Sequence, residues 1–180
     1  MTTITTRIIH IEWEGPYTLN SISTLTDAKD FGVYQIYGSH AVYGSQVLLY
    51  IGKADRQTFG VRIKQELWQL NKDARAVQVY IGRLAGETTP STEQWSQDIA
   101  DAEKLLIYAH APASNSQYIN QIPEQTLRDI HVLNWGMHRD LLAEVSGARW
   151  TAKYYAMPSY EIYTTGVALN DKNGDSSEIL

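Results

Sequence analysis

The segment VLLYIGKADRQTFGVRI, which begins at Val47, combines an apolar run with residue types that can contact an anion. Residues 47–51 predict a buried strand, and Gly52 ends that strand. Lys53, Arg56 and Arg62 follow shortly afterwards. Because closely spaced cations attract a polyanion, the segment predicts a site for one. On charge alone, a solvated surface laced with salt bridges is the alternative.

Glu103 is a second residue whose position points to chemistry. It lies in a segment that predicts a long helix, PSTEQWSQDIADAEKLLIYAHAP, in which Ser91 and Gln94 form a capping-box pattern. Apolar residues surround Glu103 at helical spacing, so its carboxylate should lie at the margin of an apolar ridge. Burying such a group is costly unless it is paired, hydrogen-bonded or bound to a metal. A boundary residue that reaches solvent or an arginine is the alternative to a metal ligand.

Tyr34 and Tyr50 form the third candidate group. They lie in FGVYQIYG and VLLYIG, two β-rich runs separated by the turn-rich segment GSHAVYGSQ. These runs predict an antiparallel hairpin with a long loop, in which the two rings can face one another. Ordinary cross-strand aromatic packing is the alternative explanation.

The rest of the chain predicts the elements that must position these residues. RIIHIEW alternates with Ile9, Ile11 and Trp13 on one face, and predicts a strand closed by Gly15-Pro16. Further segments are typical of a short helix (NSISTLTDAKD), a helix (TFGVRIKQELWQLNK), a strand (ARAVQVYIGRL), a strand (IHVLNW), a short helix (near RDLLAEV) and a last strand (SYEIYTT). The order β-β-α-β-α through the middle predicts a mixed α+β domain.

Composition limits the class of protein. The chain has 180 residues, 43% of them hydrophobic, and no cysteine, so we expect a single domain without disulfides, thiolate nucleophiles or cysteine zinc sites. No apolar run is long enough to span a bilayer, and no secretory or transit signal is present; a cytoplasmic protein without membrane contact is the expectation. The net charge is −5, but residues 51–83 carry seven basic and three acidic residues, a local charge of +4.

Two tripeptides, GVY at 32–34 and YIG at 50–52, resemble the paired signature of the GIY-YIG nucleases. That family includes excision-repair incision nucleases, intron homing endonucleases and some restriction enzymes. Lys53, Arg62 and Glu103 stand where the family has a lysine, an arginine and a metal-binding glutamate. Pro112 and Asn115 follow Glu103 at a spacing similar to that of the repair branch. The flanks IEWEGPY and LNWGMHRDLL resemble stand-alone members near the restriction-enzyme branch.

The resemblance implies an organisation of the chain. Residues 31–115 would form a GIY-YIG-like core, a small central antiparallel sheet flanked by helices. Residues 1–30 would be an N-terminal extension and 116–165 a C-terminal addition, all within one domain, and 166–180 a flexible tail.

The resemblance also implies a metal-dependent endonuclease, restriction-like, that hydrolyses DNA phosphodiester bonds. Glu103 would bind Mg²⁺ or Mn²⁺, with water filling most of the coordination shell. Arg62 would clamp the scissile phosphate. Tyr34 would act as general base and Tyr50 would support it, with a phenol pKa lowered by neighbouring Lys53.

Other residues would serve the substrate, expected to be double-stranded DNA cut by a single chain or a homodimer. Lys53, Arg56 and Lys64 would contact its backbone, and Gly52, which lacks a Cβ, would let that backbone approach closely. Asn115 would anchor the loop after the helix and so hold Glu103 in position.

Glu66 departs from the family pattern, because members commonly carry tyrosine or histidine four residues after the arginine. We expect Glu66 to point away from the site, paired with Lys64 or Arg62, and to leave the helper role to a residue such as His110. Alternatively, it faces the metal and adds a carboxylate to the site. Together with the negative net charge, this departure favours a second hypothesis, a catalytically impaired GIY-YIG-fold module that binds nucleic acid. A structural or protein-interaction domain is a third.

Overall fold

A six-stranded mixed sheet forms the centre of the fold within residues 6–70, 77–85, 93–120 and 125–151, which the computed structural model describes. Its strands are β1 (Arg7–Tyr17), β2 (Gly32–His40), β3 (Gly44–Ala54), β4 (Gln78–Leu84), β5 (Ile130–Gly136) and β6 (Glu144–Ser146). Their spatial order is β3-β2-β4-β1-β5-β6. The β1–β5 pair is parallel, and the other neighbouring pairs are antiparallel. The strand β3 is therefore an edge strand.

Helices cover both faces of this sheet. In chain order they are α1 (Leu19–Ile22), α2 (Phe59–Leu70), α3 (Glu93–His110) and α4 (Ala148–Thr151), with a 3₁₀ turn at Gln125–Leu127. Thr18 and Ser21 form a capping box at the start of α1. None of the helices among the described residues has the length and apolar character needed to cross a membrane.

Alternation along the strands sends side chains to two separate apolar clusters. On one face Tyr34 and Ile36 pack with Phe59 and Ile63 of α2. On the other face Ile9, Ile11, Trp13, Val33 and Ile51 pack with the apolar side of α3, which includes Trp95, Ile99, Ala102 and Leu106. The predicted α+β class is confirmed, and the spans of α2 and α3 agree with the prediction to within a few residues. The short helix predicted within 20–30 is confined to Leu19–Ile22.

The sheet is larger than the predicted small antiparallel one. The strand β1, from the predicted N-terminal extension, lies between β4 and β5, and its bounds extend past Gly15-Pro16 to Tyr17. A buried hydrogen bond from Trp13 Nε1 to Asn134 Oδ1 (2.8 Å) joins β1 to β5. Residues 1–30 therefore contribute a central strand to the sheet.

The β2–β3 hairpin is confirmed, but its predicted long loop is wrong. Both strands continue into the turn-rich segment until His40 pairs with Gly44, and register shifts near Tyr37 and Gly38 accommodate the irregular sequence. The connection is therefore only residues 41–43.

The predicted short helix near RDLLAEV is also wrong. This segment is a turn followed by β6, because hydrogen bonds to β5 replace helical ones. Asn134 donates from its backbone N–H to the Ala143 carbonyl and from Nδ2 to the Leu142 carbonyl. Leu141 and Val145 are buried while residues 142–144 between them are exposed. Ser91 of the capping-box pattern, the predicted strand SYEIYTT and the predicted tail 166–180 lie outside the described residues.

Candidate active site

An open cleft of about 620 Å³ lies at the exposed edge of β3, where α2 approaches from one face of the sheet and α3 from the other. Because β3 is an edge strand, side chains from both faces can meet around it. The cleft is lined by Tyr50, Lys53, Ala54, Asp55, Arg56 and Gln57 from β3 and the loop after it, Arg62, Gln65 and Glu66 from α2, Glu103 and Ile107 from α3, and Ser114, Asn115, Ser116, Gln117 and Tyr118 from the loop after α3.

The two tyrosines lie one behind the other. Their ring centroids are 6.1 Å apart, and their ring planes are inclined to one another by 33°. Tyr50 is half-buried and lines the cleft, whereas Tyr34 is 0% exposed. The Tyr34 hydroxyl is buried without a hydrogen bond of ordinary geometry to any described residue. Tyr50 is therefore the phenol that a ligand in the cleft can reach.

Burial also decides how these phenols ionise. Desolvation raises the pKa of Tyr50 to about 12, and the negative charges of Glu66 and Glu103 act in the same direction. The pKa of Tyr34 is raised further, mainly by its deeper burial and then by the neighbouring Tyr50. Both hydroxyls therefore keep their protons at neutral pH.

Gly52 has a different purpose from the predicted one. A Cβ at this position would lie 2.6 Å from the Tyr34 hydroxyl oxygen and 2.6 Å from Tyr50 Cε1. Gly52 is buried and pairs with Tyr34 across the hairpin. The absence of a side chain therefore makes room for the two aromatic rings, which cover the glycine.

The prediction that Lys53 lowers a tyrosine pKa is contradicted. Alternation along β3 puts Tyr50 on the α2 face and Lys53 on the α3 face, beside Glu103. Lys53 Nζ forms an ion pair with Asp55 Oδ2 at 2.9 Å. Its positive charge instead counteracts the effect of burial on the pKa of Glu103.

Glu103 is a partly buried carboxylate that makes no ion pair with the described residues. Desolvation raises its pKa to about 7; Lys53, Arg62 and Lys104 oppose this shift, and Asp55 adds to it. The described part of the chain has no group of three or more His, Cys, Asp or Glu side chains placed to hold a metal ion. A hard divalent cation at Glu103 would therefore take most of its ligands from water, which suits Mg²⁺.

Arg62 and Glu66 form an i,i+4 ion pair on α2, with Nη2 and Oε1 2.5 Å apart. The predicted pairing with Arg62 is correct, but Glu66 lines the cleft and does not point away from it. The reason is helical spacing, since residues four apart share a face and Ile63 occupies the buried one. The pKa of Arg62 is raised: burial lowers it, but Tyr34, Glu66 and Tyr50 together outweigh that effect.

The predicted DNA-contacting cations separate into two groups. Lys53 and Arg56 line the cleft, and Arg56 is exposed with no ion pair to the described residues. Lys64 is exposed on α2 but is not among the residues that line the cleft. Arg83, also counted in the basic segment, pairs with buried Asp30 and with Glu14. Lys72 and Arg75 lie outside the described residues.

Asn115 has the anchoring role predicted for it. Its Oδ1 accepts a hydrogen bond from the Ile51 N–H (3.0 Å), and its Nδ2 donates one to the Ile51 carbonyl (2.9 Å). The N–H groups of Ala113 and Ser114 donate to the Leu48 and Leu49 carbonyls. The loop after α3 is thus bound to the free edge of β3, which holds the end of α3 against the cleft.

The suggested helper role of His110 is contradicted. His110 is not a cleft residue; its Nδ1 lies 2.8 Å from the Leu106 carbonyl oxygen, and its Nε2 accepts a hydrogen bond from the Leu142 N–H. This arrangement requires neutral imidazole with the proton on Nδ1, and burial lowers the His110 pKa accordingly. These two contacts of the His110 ring link the end of α3 to the segment before β6.

Comparisons of the chain with models of protein families, with curated proteins and with solved structures found no match. The geometry of the cleft is therefore the basis for assigning a function to this chain.

Several cleft residues were missed by sequence reasoning. Asp55 was considered only for its charge. It directly follows β3 and lies two residues after Lys53, so the two side chains can meet. Four further cleft residues carry no pattern of their own, and they reach the cleft because hydrogen bonds from the loop, including those of Asn115, bind it to β3: Ser114, Ser116, Gln117 and Tyr118. Lys104 Nζ lies 5.9 Å from the Tyr118 ring centroid, a cation–π contact beside the cleft.

Proposed function

We propose that this protein is a metal-dependent endonuclease that hydrolyses DNA phosphodiester bonds, with a site like that of the GIY-YIG nucleases its sequence resembles. One observation carries the proposal. One cleft is lined by Tyr50 from β3, Arg62 from α2 and Glu103 from α3, although the two helices pack on opposite faces of the sheet. With one metal ion, a phenol, a guanidinium and a partly desolvated carboxylate can together activate water and stabilise the charge that develops on a phosphodiester.

Glu103 is the residue that would hold the metal. Burial raises its pKa, and the carboxylate has no ion pair in the described part of the chain, so a divalent cation would compensate its buried charge. Mg²⁺ or Mn²⁺, when bound there, would supply a Lewis acid for the phosphate oxygens. Asn115 supports this function indirectly, because it fixes the loop at the end of α3.

Arg62 and Tyr50 would act on the phosphate and on the attacking water. The guanidinium donates hydrogen bonds to phosphate oxygens and stabilises the negative charge that develops on them. The Tyr50 hydroxyl keeps its proton at neutral pH, so as the water attacks, it would take one proton from that water and pass its own proton to a phosphate oxygen. We assign Tyr50 rather than Tyr34 to the water because only Tyr50 lines the cleft. Tyr34 would hold the Tyr50 ring in position from behind.

A binding module without turnover is the second candidate, and the Arg62–Glu66 pair favours it. Glu66 neutralises the guanidinium that would otherwise stabilise the transition state. Such a protein would bind duplex DNA through Lys53 and Arg56 and leave it intact.

Cleavage of supercoiled plasmid and of a long mixed-sequence duplex, with Mg²⁺ or with EDTA, separates the two candidates. The unaltered protein should nick or cut in Mg²⁺ only. Glu103→Gln should keep the fold but lower the cleavage rate by about 100-fold or more, because an amide is a poor ligand for a hard cation. Glu93→Gln, at the exposed start of the same helix, makes the same chemical change away from the cleft and should cleave normally. DNA binding without cleavage would favour the binding module, and full activity of Glu103→Gln would refute the metal assignment.

A further inference from the structure

Two of the cations in the cleft are already paired with carboxylates of the protein. Arg62 is paired with Glu66, and Lys53 with Asp55. Both carboxylates are largely shielded from solvent, with side chains 14% exposed for Glu66 and 18% for Asp55. Arg56 is exposed and has no ion pair with a described residue. Because these carboxylates are partly buried, salt screens their ion pairs less than it screens fully exposed pairs.

Among the described residues, the basic and acidic side chains that line the cleft are equal in number. They comprise three basic side chains, Lys53, Arg56 and Arg62, and three acidic ones, Asp55, Glu66 and Glu103. A single phosphate anion placed beside Arg62 is attracted by the guanidinium and repelled by the Glu66 carboxylate in contact with it. Such an anion gains little unless Glu66 gives up its place.

We propose that Glu66 is a selectivity residue that keeps isolated phosphate anions off Arg62 and admits only a polyanionic ligand such as the backbone of a nucleic acid. This inference rests on the proposed function, in which Arg62 contacts the phosphate. A polyanion differs from inorganic phosphate because one phosphate group can be held by exposed Arg56 while a second competes with Glu66. The second contact is then intramolecular and needs no further loss of translational freedom.

Removing Glu66 would change the charge that Arg62 presents to the cleft. Without the carboxylate, Arg62 keeps its place on α2 between the tyrosines and the solvent, with a side chain 37% exposed. It then presents an uncompensated guanidinium to the cleft. Inorganic phosphate can present two acceptor oxygens to one edge of this guanidinium, so it becomes an adequate ligand of Arg62.

The inference is tested by isothermal titration with inorganic phosphate, without divalent metal, on the unaltered protein and three variants. Glu66→Gln should bind phosphate at least tenfold more tightly than the unaltered protein. Glu12→Gln, which removes one exposed carboxylate from β1 outside the cleft, makes the same change in net charge and should alter the affinity less than twofold. In Arg62→Ala/Glu66→Gln the gain should disappear. An unchanged phosphate affinity in Glu66→Gln, or a gain that persists without Arg62, would overturn the inference.

A second measurement needs no change at Glu66. The Nε–H resonance of Arg62, assigned by its loss in Arg62→Lys, should shift when the unaltered protein receives a short duplex and stay unchanged with the same concentration of inorganic phosphate. Equal shifts with both probes would overturn the inference. Neither measurement involves cleavage, so the selectivity role of Glu66 can fail while the nuclease activity stands. The reverse also holds, since a protein that never cleaves can still show the phosphate response.

Discussion

Tyr34→Phe should stabilise the protein, whereas the same change at another buried tyrosine should destabilise it. The Tyr34 hydroxyl is buried with no hydrogen bond of ordinary geometry to the described residues. An unpaired hydroxyl costs about 1–3 kcal/mol of folding free energy in proteins, so removing it should raise the free energy of unfolding by about 1 kcal/mol. The gain is smaller than the full cost because the lost oxygen leaves a small gap between the rings.

Tyr37 supplies a matched control on the same strand. It is also 0% exposed, but its hydroxyl donates a hydrogen bond of 2.9 Å to Gln35 Oε1, itself buried. Tyr37→Phe leaves that oxygen unpaired and should lower the free energy of unfolding by about 1–2 kcal/mol. The two variants should therefore differ by at least about 2 kcal/mol in the free energy of unfolding.

Urea unfolding followed by tryptophan fluorescence measures both variants under one set of conditions. Equal slopes of free energy against urea concentration would show that the unfolded states are comparable. If Tyr34→Phe lost as much stability as Tyr37→Phe, the Tyr34 hydroxyl must have a partner, with the Arg62 guanidinium as the nearest candidate. In a cleavage assay Tyr50→Phe should lose more activity than Tyr34→Phe, because Tyr50 lines the cleft; the opposite order would refute the assignment of Tyr50 to the water.

Two further predictions concern the carboxylate and the loop that flank the cleft. The pKa of Glu103 is raised from 4.5 to about 7 by burial, so the folded state binds the proton more tightly than the unfolded state. The stabilisation that protonated Glu103 contributes is therefore fully present below pH 4.5 and lost as pH rises through 7. Relative to Glu103→Gln, the unaltered protein should lose up to about 3 kcal/mol of its free energy of unfolding between pH 5 and pH 8, measured without metal by urea unfolding. Parallel pH profiles for the two proteins would contradict the burial of this carboxylate. Asn115→Ala removes both hydrogen bonds to Ile51 and should lower the free energy of unfolding by about 1–3 kcal/mol, with faster amide exchange at Ile51 than in Ser116→Ala; similar exchange in both would contradict the anchoring role.

Local patterns in the sequence predicted the elements that carry the site. Alternating apolar residues indicated β1 and β4, and steps of three and four indicated the buried face of α3. The i,i+4 spacing of Arg62 and Glu66 made their pairing predictable, because both residues belong to one helix. The Asn115 anchor was foreseen from the family resemblance instead, since its partner Ile51 belongs to a different element. In the other cases the relevant partners are close in sequence or follow from the period of a single element.

Only the tertiary structure decided the features that depend on how the strands and helices pack against one another. Strand alternation separates Lys53 from the tyrosines, but which face meets α3 follows only from the packing of the two helices on the sheet. The depth of Tyr34 behind Tyr50 depends on β3 being the edge strand, and β3 is the edge because β4 pairs with the other side of β2 and not with β3. The segment that was predicted as a helix became a turn and β6 because Asn134 binds the turn and residues 131–133 of β5 pair with β6. Pairings of this kind join different elements, and the period of a single element carries no information about them.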